Sequence, residues 1–210
     1  MFGWVRIIIS AIILAIAIIL IAKSKKIVRK RKWYVLSCIL SLAFCTLLGL
    51  VYFENLFVTF DSPESAYIYY QNVSDIVATV DGTDSTLVVG RTWDNSYNML
   101  ALPKENGGWK LDNTLHTKLI VNYFSADYSI IIYQYRNTND YYVWITPLNG
   151  GSKEITDIYG SDFVAIEPIG DDTIVRYLAS VQQMDSQYWI NIDGEQIFVV
   201  NEANMSKVSK

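Results

Sequence analysis

Few side chains in this 210-residue chain are suited to nucleophilic catalysis. His116 is the single histidine, and both cysteines, Cys38 and Cys45, lie in the apolar N-terminal part of the chain. A Ser–His or Cys–His pair beyond that part would therefore require His116 itself. No G-x-S-x-G, H-E-x-x-H or zinc-type Cys/His spacing occurs. We expect His116 to be a surface or packing residue, and we predict no catalysis, no cofactor and no metal.

Carboxylates are the remaining candidates for catalysis or metal binding. Asp81, Asp84, Asp171 and Asp172 flank predicted turns, and carboxylate oxygens at such places can bind a hard cation such as Ca²⁺. They lack the regular D-x-D-x-D-G spacing, so solvated turn acids are the plainer interpretation. A glycosidase needs only two carboxylates at a set separation. A carboxylate-based envelope hydrolase therefore stays open as an alternative.

Aromatic residues indicate a candidate binding surface. Tyr133 and Tyr135 are two residues apart in one predicted strand, as are Tyr142 and Trp144 in the next. Alternate residues of a strand share a face, so a hairpin would bring these four side chains together. Such a ladder could bind a glycan or a peptide, because Tyr and Trp are favoured at recognition sites. The alternative is ordinary cross-strand packing.

The elements that carry these residues are mainly strands. Segments rich in β-branched and apolar residues alternate with turn signals such as Asp193-Gly194, which predicts a two-residue hairpin. The predicted strands are Ile76–Val80, Thr86–Thr92, Asn98–Leu102, Lys118–Phe124, Ile130–Tyr135, Tyr141–Thr146, Phe163–Ile166, Thr173–Leu178, Tyr188–Ile192 and Gln196–Val200.

A weak repeat of about 43 residues runs through the strands. This shift places Asn106-Gly107-Gly108 on Asn149-Gly150-Gly151, and a further similar shift reaches Asp193-Gly194. Units of this length have the scale of a β-propeller blade, but three units are too few for an ordinary ring. We therefore predict an antiparallel meander, either a curled sheet or a propeller-like stack. A sandwich or barrel is the second choice, and chance spacing of hairpins is the alternative to a repeat.

One short helix is predicted ahead of the strands. Asp61 or Ser62 can cap its N-terminus, Pro63 suits its first turn, and Glu64 suits the positive end of the helix dipole. Its predicted end is Asn72. The segment Ser62-Pro63-Glu64-Ser65-Ala66 resembles the S-P-E-E-A start of many uncharacterised membrane-anchored extracytoplasmic proteins of Gram-positive bacteria, with Ser65 replacing the second Glu. The resemblance implies a compartment and an anchor, and no activity.

Two apolar runs precede this helix. Ile7–Ala22 is uncharged over sixteen residues. As a helix it would measure about 24 Å, which Phe2–Val5 extends towards the ~30 Å of a bilayer core. Trp33–Phe53 adds 21 residues with aromatic residues at both ends. We predict a transmembrane hairpin over residues 1–53, with helices at about 5–22 and 33–53. A cleaved signal peptide is the alternative, although Leu20 fits a cleavage site poorly.

The charges indicate how this hairpin is oriented. Residues 1–53 carry eight Lys or Arg and no acid, whereas residues 54–210 carry all 21 acids and nine bases, a net charge of −12. By the positive-inside rule the loop 23–32 is cytoplasmic, so the N-terminus and the C-terminal domain are outside a cell membrane crossed twice. The loop is expected to contact anionic lipid headgroups. Its bases are Lys23, Lys25, Lys26, Arg29, Lys30, Arg31 and Lys32.

Small residues recur every fourth position in the second predicted helix. Ser37, Ser41, Cys45 and Gly49 form a stripe that would let another helix approach closely. We expect this stripe to pack on the first helix, whose Ala11, Ala15 and Ala22 provide a partial match. The alternatives are dimerisation through the stripe and the general abundance of small residues in membrane helices.

These features predict three regions: the hairpin 1–53, a linker and short helix over 54–74, and an extracytoplasmic β domain over 75–210. The leading hypothesis is a membrane-anchored, non-catalytic domain that binds a protein, a peptide or an envelope ligand. An accessory subunit of a larger membrane complex is an alternative. A charge of −12 favours cationic partners and disfavours nucleic acid.

Overall fold

The computed structural model describes residues 2–24, 30–50, 55, 57–71, 75–112, 116–168 and 172–199. The chain forms two compact units, Met1–Val58 and Thr59–Lys210. The elements in chain order are α1 (Phe2–Lys23), α2 (Lys30–Leu50), α3 (Pro63–Tyr70), β1 (Asp75–Asp81), β2 (Ser85–Arg91), β3 (Tyr97–Glu105), β4 (Gly108–Trp109), β5 (Thr117–Phe124), β6 (Tyr128–Tyr135), β7 (Tyr141–Pro147), β8 (Ile155–Asp157), β9 (Val164–Ile166), β10 (Arg176–Val181), β11 (Trp189–Ile192) and β12 (Glu195–Phe198).

The first unit contains α1 and α2, which pack against each other. Both helices extend into the predicted loop 23–32, and its residues 25–29 lie outside the described residues, as do residues 51–53 of the predicted second helix. Side chains in these helices are described for residue 8, residues 11–24 and residues 31–44. Among the residues described, neither helix meets the length and hydropathy needed to cross a membrane.

The short helix α3 begins where the sequence predicts. Ser62 is its N-cap, and the Ser62 hydroxyl oxygen accepts a hydrogen bond from the Ser65 backbone N–H at 3.1 Å. Pro63 and Glu64 occupy the first turn, which confirms the predicted cap. The helix belongs to the β-rich unit, where it packs on the first four strands. Its buried Tyr67 donates a hydrogen bond to the Asn98 carbonyl at 2.8 Å.

Three antiparallel sheets make up the rest of that unit, as the prediction of a mainly antiparallel β domain requires. The first sheet has the order β1-β2-β3-β4, the second β5-β6-β7-β10-β9, and the third β12-β11-β8. After β7 the chain enters the third sheet as β8, returns to the second as β9 and β10, and ends in the third. The β11–β12 hairpin has Asp193 and Gly194 at φ 51° and 90°, which confirms the predicted turn.

Two hydrophobic cores hold the sheets together. On β7, Tyr142 and Trp144 belong to the core shared with the first sheet, whereas Val143 and Ile145 belong to the core shared with the third. Because alternate residues of a strand point to opposite faces, the second sheet is buried on both sides. Its strands therefore carry apolar residues at nearly every position.

The predicted repeat corresponds to structure only in its first two units. Strands β5, β6 and β7 begin 42, 43 and 44 residues after β1, β2 and β3. The third unit forms no four-stranded sheet of its own, since β9 and β10 pair in the second sheet and β11 and β12 in the third. The described strands therefore do not form a set of equivalent propeller blades.

Most strand predictions agree with the structure, with two kinds of difference. Strands β4 and β8 were not predicted, and they contain only two and three residues. Strand β10 begins at Arg176 rather than at the predicted Thr173. The reason is local: the Asp172 carboxylate accepts a hydrogen bond from the Ile174 backbone N–H at 3.0 Å, which turns the chain before the strand starts.

Candidate ligand-binding cavity

A cavity of about 320 Å³ lies between the first and second sheets. This volume is at the lower end of the range of small-molecule sites, roughly 300–1,000 Å³. The first sheet contributes mostly apolar side chains, and the second contributes a tyrosine and a threonine. The lining residues are Leu87, Tyr97, Asn98, Met99, Ala101, Thr117 and Tyr133.

Strand register explains why these residues meet. Leu87 lies opposite Ala101 in the β2–β3 pair, and Met99 is two residues before Ala101 on the same face. In the second sheet, Leu119 lies opposite Tyr133 and Thr117 lies opposite Tyr135. The β5–β6 edge of the second sheet and the β2–β3 pair of the first therefore both contribute side chains to the cavity.

Tyr97 is held in place by aromatic and cationic neighbours. Its ring meets the Trp144 ring edge-on, with centroids 5.8 Å apart. The Arg176 guanidinium carbon lies 4.9 Å from the centre of the Tyr97 ring, which is within cation–π range. Arg176 in turn donates a hydrogen bond to the Asp172 carboxylate at 2.6 Å. These contacts hold the Tyr97 ring in position before any ligand binds.

The two tyrosines of the cavity combine apolar rings with polar ends. Burial raises the pKa of the Tyr133 hydroxyl, so the group is a neutral hydrogen-bond donor at physiological pH. Within the described part of the chain, the hydroxyls of Tyr97 and Tyr133 make no hydrogen bond with a protein group. An apolar ligand with one hydrogen-bonding group would match this set of side chains, because a tyrosine hydroxyl can donate or accept a hydrogen bond.

The predicted aromatic face exists as a set of neighbours, but most of it is not a surface. Tyr133 lies directly opposite Tyr142, and Trp144 belongs to the same core as Tyr135 and Tyr142. Tyr135, Tyr142 and Trp144 are only 1%, 0% and 7% exposed, because the first sheet covers them. This corrects the expectation of an open binding face: these three side chains pack between sheets. Tyr133 alone of the four lines the cavity.

His116 belongs to a cluster around a buried carboxylate. Asp112 is 2% exposed, and its oxygens bond the His116 Nδ1 atom and the Tyr135 hydroxyl. Arg136 donates two further hydrogen bonds to Asp112, from Nε at 3.2 Å and from a terminal nitrogen at 3.0 Å. Within the described residues, the His116 side chain bonds the Asp112 carboxylate and no serine, threonine or cysteine hydroxyl or thiol. The described part of the cluster therefore shows no nucleophile hydrogen-bonded to His116.

The other buried carboxylates also have several partners each. Asp140 accepts hydrogen bonds from the backbone N–H groups of Thr83 and Asp84 and from Ser85 Oγ. Asp157 accepts from the Tyr188 hydroxyl at 2.9 Å and from Ser161. These carboxylates connect loops to strands, and their hydrogen-bonding capacity is used within the fold.

The predicted turn acids do not form a metal site in the described residues. Asp81 forms an ion pair with Lys104 at 3.0 Å, and Asp172 forms one with Arg176 at 2.6 Å. Asp171 lies outside the described residues. No group of three potential metal-ligating side chains occurs in the part of the chain that the structure describes. Lys104 and Arg176 therefore balance the negative charges of Asp81 and Asp172.

The structure describes two of the four side chains in the predicted small-residue stripe of α2. Of the described side chains of α2, Tyr34, Ser37 and Ser41 are the less exposed ones, so two stripe residues lie on the face towards α1. The side chains of Cys45 and Gly49 lie outside the described set. On α1 the less exposed residues are Leu14, Ala17 and Ile21.

Those positions on α1 correct the predicted partner stripe. Ala11, Ala15 and Ala22 are exposed. The less exposed face of α1 therefore runs through Leu14, Ala17 and Ile21 instead.

The basic residues of the predicted topology signal are divided by the helix ends. Lys23 is the last residue of α1, whereas Lys30, Arg31 and Lys32 lie in the first turn of α2. Lys25, Lys26 and Arg29 lie outside the described residues.

Comparison with known proteins gives no match: no protein-family model, curated protein or solved structure resembles the chain significantly. The resemblance of the Ser62–Ala66 segment to membrane-anchored proteins therefore stays a prediction.

Sequence reasoning did not identify most of the cavity. Tyr97, Met99 and Ala101 alternate along β3, and this period of two shows that they share a face. It does not show that a cavity lies between this face and the second sheet, because the packing of two sheets depends on contacts between residues far apart in the chain. Only Tyr133 was identified in advance.

Proposed function

We propose that this protein is a membrane-anchored, extracytoplasmic, non-catalytic binding domain. In this proposal α1 and α2 cross the membrane as a hairpin. The bases of residues 23–32 lie in the cytoplasm beside anionic headgroups. The N-terminus and the β-rich unit lie outside, where the cavity receives an apolar group of the ligand.

The surface of α1 and α2 supports the membrane location. Outside the faces where the two helices meet, most described side chains of both helices are apolar and exposed, an arrangement that costs about 25 cal/mol per Å² in water and none in lipid. Soluble helices usually expose a polar face instead. The exposed large apolar residues of these helices are Ile8, Ile12, Ile13, Ile16, Ile18, Ile19, Leu20, Trp33, Val35, Leu36, Ile39, Leu40, Leu42 and Phe44.

The single observation that carries the binding role is the cavity beside Met99 and Tyr133. It combines an apolar lining with two tyrosine hydroxyls that have no protein partner among the described residues. The catalytic alternative has weaker support, because Asp112, Asp140 and Asp157 are buried and engaged in hydrogen bonds. A general acid or base must reach its substrate. The net charge of −12 after residue 53 favours a cationic partner.

Methyl NMR on the full chain in lipid nanodiscs tests this role. Met99 lines the cavity and Met184 packs against the other core, so ¹³C-methyl methionine provides a probe and an internal control. Indole is the test ligand, since it has an aromatic ring and one polar group. We expect a saturable shift of the Met99 methyl signal with little change at Met184. Replacing Met99 with leucine assigns the signal.

Two outcomes decide the proposal. Saturation at Met99 that is lost in Ala101→Leu, which adds volume at the cavity wall, supports a ligand site. A Met99 signal that moves only linearly, or in step with Met184, reports partitioning of indole into lipid and overturns the proposed site.

An accessory subunit of a larger membrane complex is the second candidate. The observation that favours it is a gap of about 470 Å³ beside α1 and α2, lined mainly by small and apolar residues such as Ala17, Ser37 and Ser41. A side chain from a third helix could fill such a gap. Native mass spectrometry of the protein extracted in mild detergent tests this candidate. A stable partner lost in Ser41→Leu supports it, and a protein that is always found alone contradicts it.

A further inference from the structure

Among the described strands, one long edge strand has no strand paired with its outer side. The sheets end in β1 and β4, in β5 and β9, and in β12 and β8. Strands β4, β8, β9 and β12 contain two to four residues, whereas β1 contains seven and β5 eight. Strand β1 packs against β9 and β10. Among the described elements, β5 makes extensive contact only with β6.

The composition of β5 protects its edge only in part. In an antiparallel sheet, alternate residues of an edge strand direct their N–H and C=O groups outward. Proteins usually protect such an edge with charges, with proline, with a β-bulge or by a covering element. Strand β5 has one charge, Lys118, and a register irregularity between Leu119 and Val121, but it contains no proline and no second charge. Phe124 at its end is 73% exposed.

This edge adjoins the cavity. Thr117 of β5 lines the cavity directly, and Leu119 lies opposite Tyr133, which lines it too. In a strand added beside β5, every second side chain would point to the same face as Thr117 and Leu119. A residue of the added strand near these positions would therefore reach the cavity.

We propose that an extended polypeptide segment of a partner pairs with β5 and inserts an apolar side chain into the cavity. Backbone hydrogen bonds along β5 would supply affinity, and the cavity would select the anchor residue. The negative charge of residues 54–210 favours a segment whose other charged residues are Lys or Arg. This inference rests on the proposed function, because it uses the same cavity.

A random library of linear peptides displayed on phage, selected against the full chain in nanodiscs, is the probe. We expect selected peptides to share an alternating pattern, one Leu, Phe, Tyr or Trp anchor and flanking bases. Their binding should shift the backbone amide signals of β5 together with the Met99 methyl signal. Methylating the backbone nitrogens of alternate peptide residues removes donors without touching the protein, and should weaken binding at least tenfold.

Two protein variants complete the test. Ala101→Leu adds volume at the cavity wall and should weaken binding at least tenfold. Ala165→Leu makes the same substitution at an exposed position of β9 and should leave the affinity unchanged. Circular dichroism establishes that both variants fold. Should Ala101→Leu fail to fold, the N-methylated peptide still decides the question.

The possible failures can be told apart. Peptides that shift Met99 but not β5 overturn strand addition while leaving the cavity as a ligand site. If indole also leaves Met99 unchanged, the proposed function fails with it. Concentration-dependent shifts of β5 without peptide would mean that the edge pairs with a second copy of the chain, and this also overturns the inference. Selection of no peptide that contacts β5 overturns it as well.

Discussion

Ser85 Oγ lies 2.7 Å from the carboxylate of Asp140, a contact that joins the first sheet to the second. Asp140 is fully buried just before β7, and it also accepts hydrogen bonds from the backbone N–H groups of Thr83 and Asp84 at 2.6 and 2.9 Å. The Asp140 carboxylate thus takes the place of the water molecules that would otherwise accept hydrogen bonds from the β1–β2 turn. The contact therefore ties the β1–β2 turn to the start of β7.

Replacing Asp140 with alanine should strongly destabilise the β-rich unit. The change leaves donors of the β1–β2 turn without an acceptor, and each such buried group costs roughly 1–3 kcal/mol. We expect the free energy of unfolding to fall by about 3 kcal/mol in urea titrations followed by tryptophan fluorescence. Asp162→Ala, at an exposed acid, is the matched control and should change it by less than about 0.5 kcal/mol. Equal effects in both variants would contradict the role of Asp140.

Replacing Gly90 with alanine should displace α3 from the first sheet. A Cβ atom at this position would lie 2.6 Å from Cε1 and from the hydroxyl of Tyr67, closer than atoms pack. Because Tyr67 is fully buried, the ring has little room to move. We expect a loss of about 2 kcal/mol, measured by urea unfolding, and faster amide exchange in α3. Unchanged exchange in α3 would show that Tyr67 can move aside.

Local features of this fold were predictable, whereas the sites formed by long-range contacts were not. The Ser62 cap and the Asp193-Gly194 turn depend on a few neighbouring residues, so the sequence predicts them well. Tyr142 was assigned to the correct strand and face, but its burial depends on a sheet that lies more than thirty residues earlier in the chain. The third repeat failed for the same reason, since β10 pairs with β7 rather than with β11. Of the cavity, only Tyr133 was anticipated.

Alkaline pH should destabilise the β-rich unit through its buried tyrosines. Burial raises the pKa of Tyr67 from its ordinary value of 10.0 to about 12, and it also raises the pKa values of Tyr135, Tyr142 and Tyr188. The folded state therefore holds these protons more tightly than the unfolded state does. The stabilisation is complete below pH 10 and is lost as the pH rises from 10 towards 12 and beyond.

The free energy of unfolding, measured between pH 8 and 12, checks this effect. Each buried tyrosine contributes a slope of up to about 1.4 kcal/mol per pH unit. In Tyr67→Phe, the free energy of unfolding should fall less steeply between pH 10 and 12, by up to about 1.4 kcal/mol per pH unit, because one titrating hydroxyl is missing. Absorbance at 295 nm should show these tyrosines ionising only on unfolding. A free energy independent of pH in this range would contradict the burial of all four hydroxyls.

The packing of α1 on α2 predicts a specific pattern of crosslinks. Ala17 and Ser37 line the same gap beside the helices, whereas Ala15 is exposed. In a chain with Cys38 and Cys45 replaced by serine, Ala17→Cys with Ser37→Cys should crosslink readily through a short bifunctional thiol reagent. Ala15→Cys with Ser37→Cys is the matched control and should react much less. Equal yields for both pairs would show that the two helices do not keep this face in contact.

The proposed topology predicts how a C-terminal tag responds to protease added outside intact cells. The seven bases of residues 23–32 favour a cytoplasmic connection between the two helices, which places residues 54–210 and the tag outside. Protease should therefore remove the tag while a cytoplasmic control protein survives. Replacing the seven bases with glutamine and adding seven lysines before Phe2 should invert the hairpin and protect the tag. If the tag of the natural sequence is protected until the cells are lysed, the acidic β-rich unit is cytoplasmic. An extracytoplasmic partner for the cavity would then have no access to it.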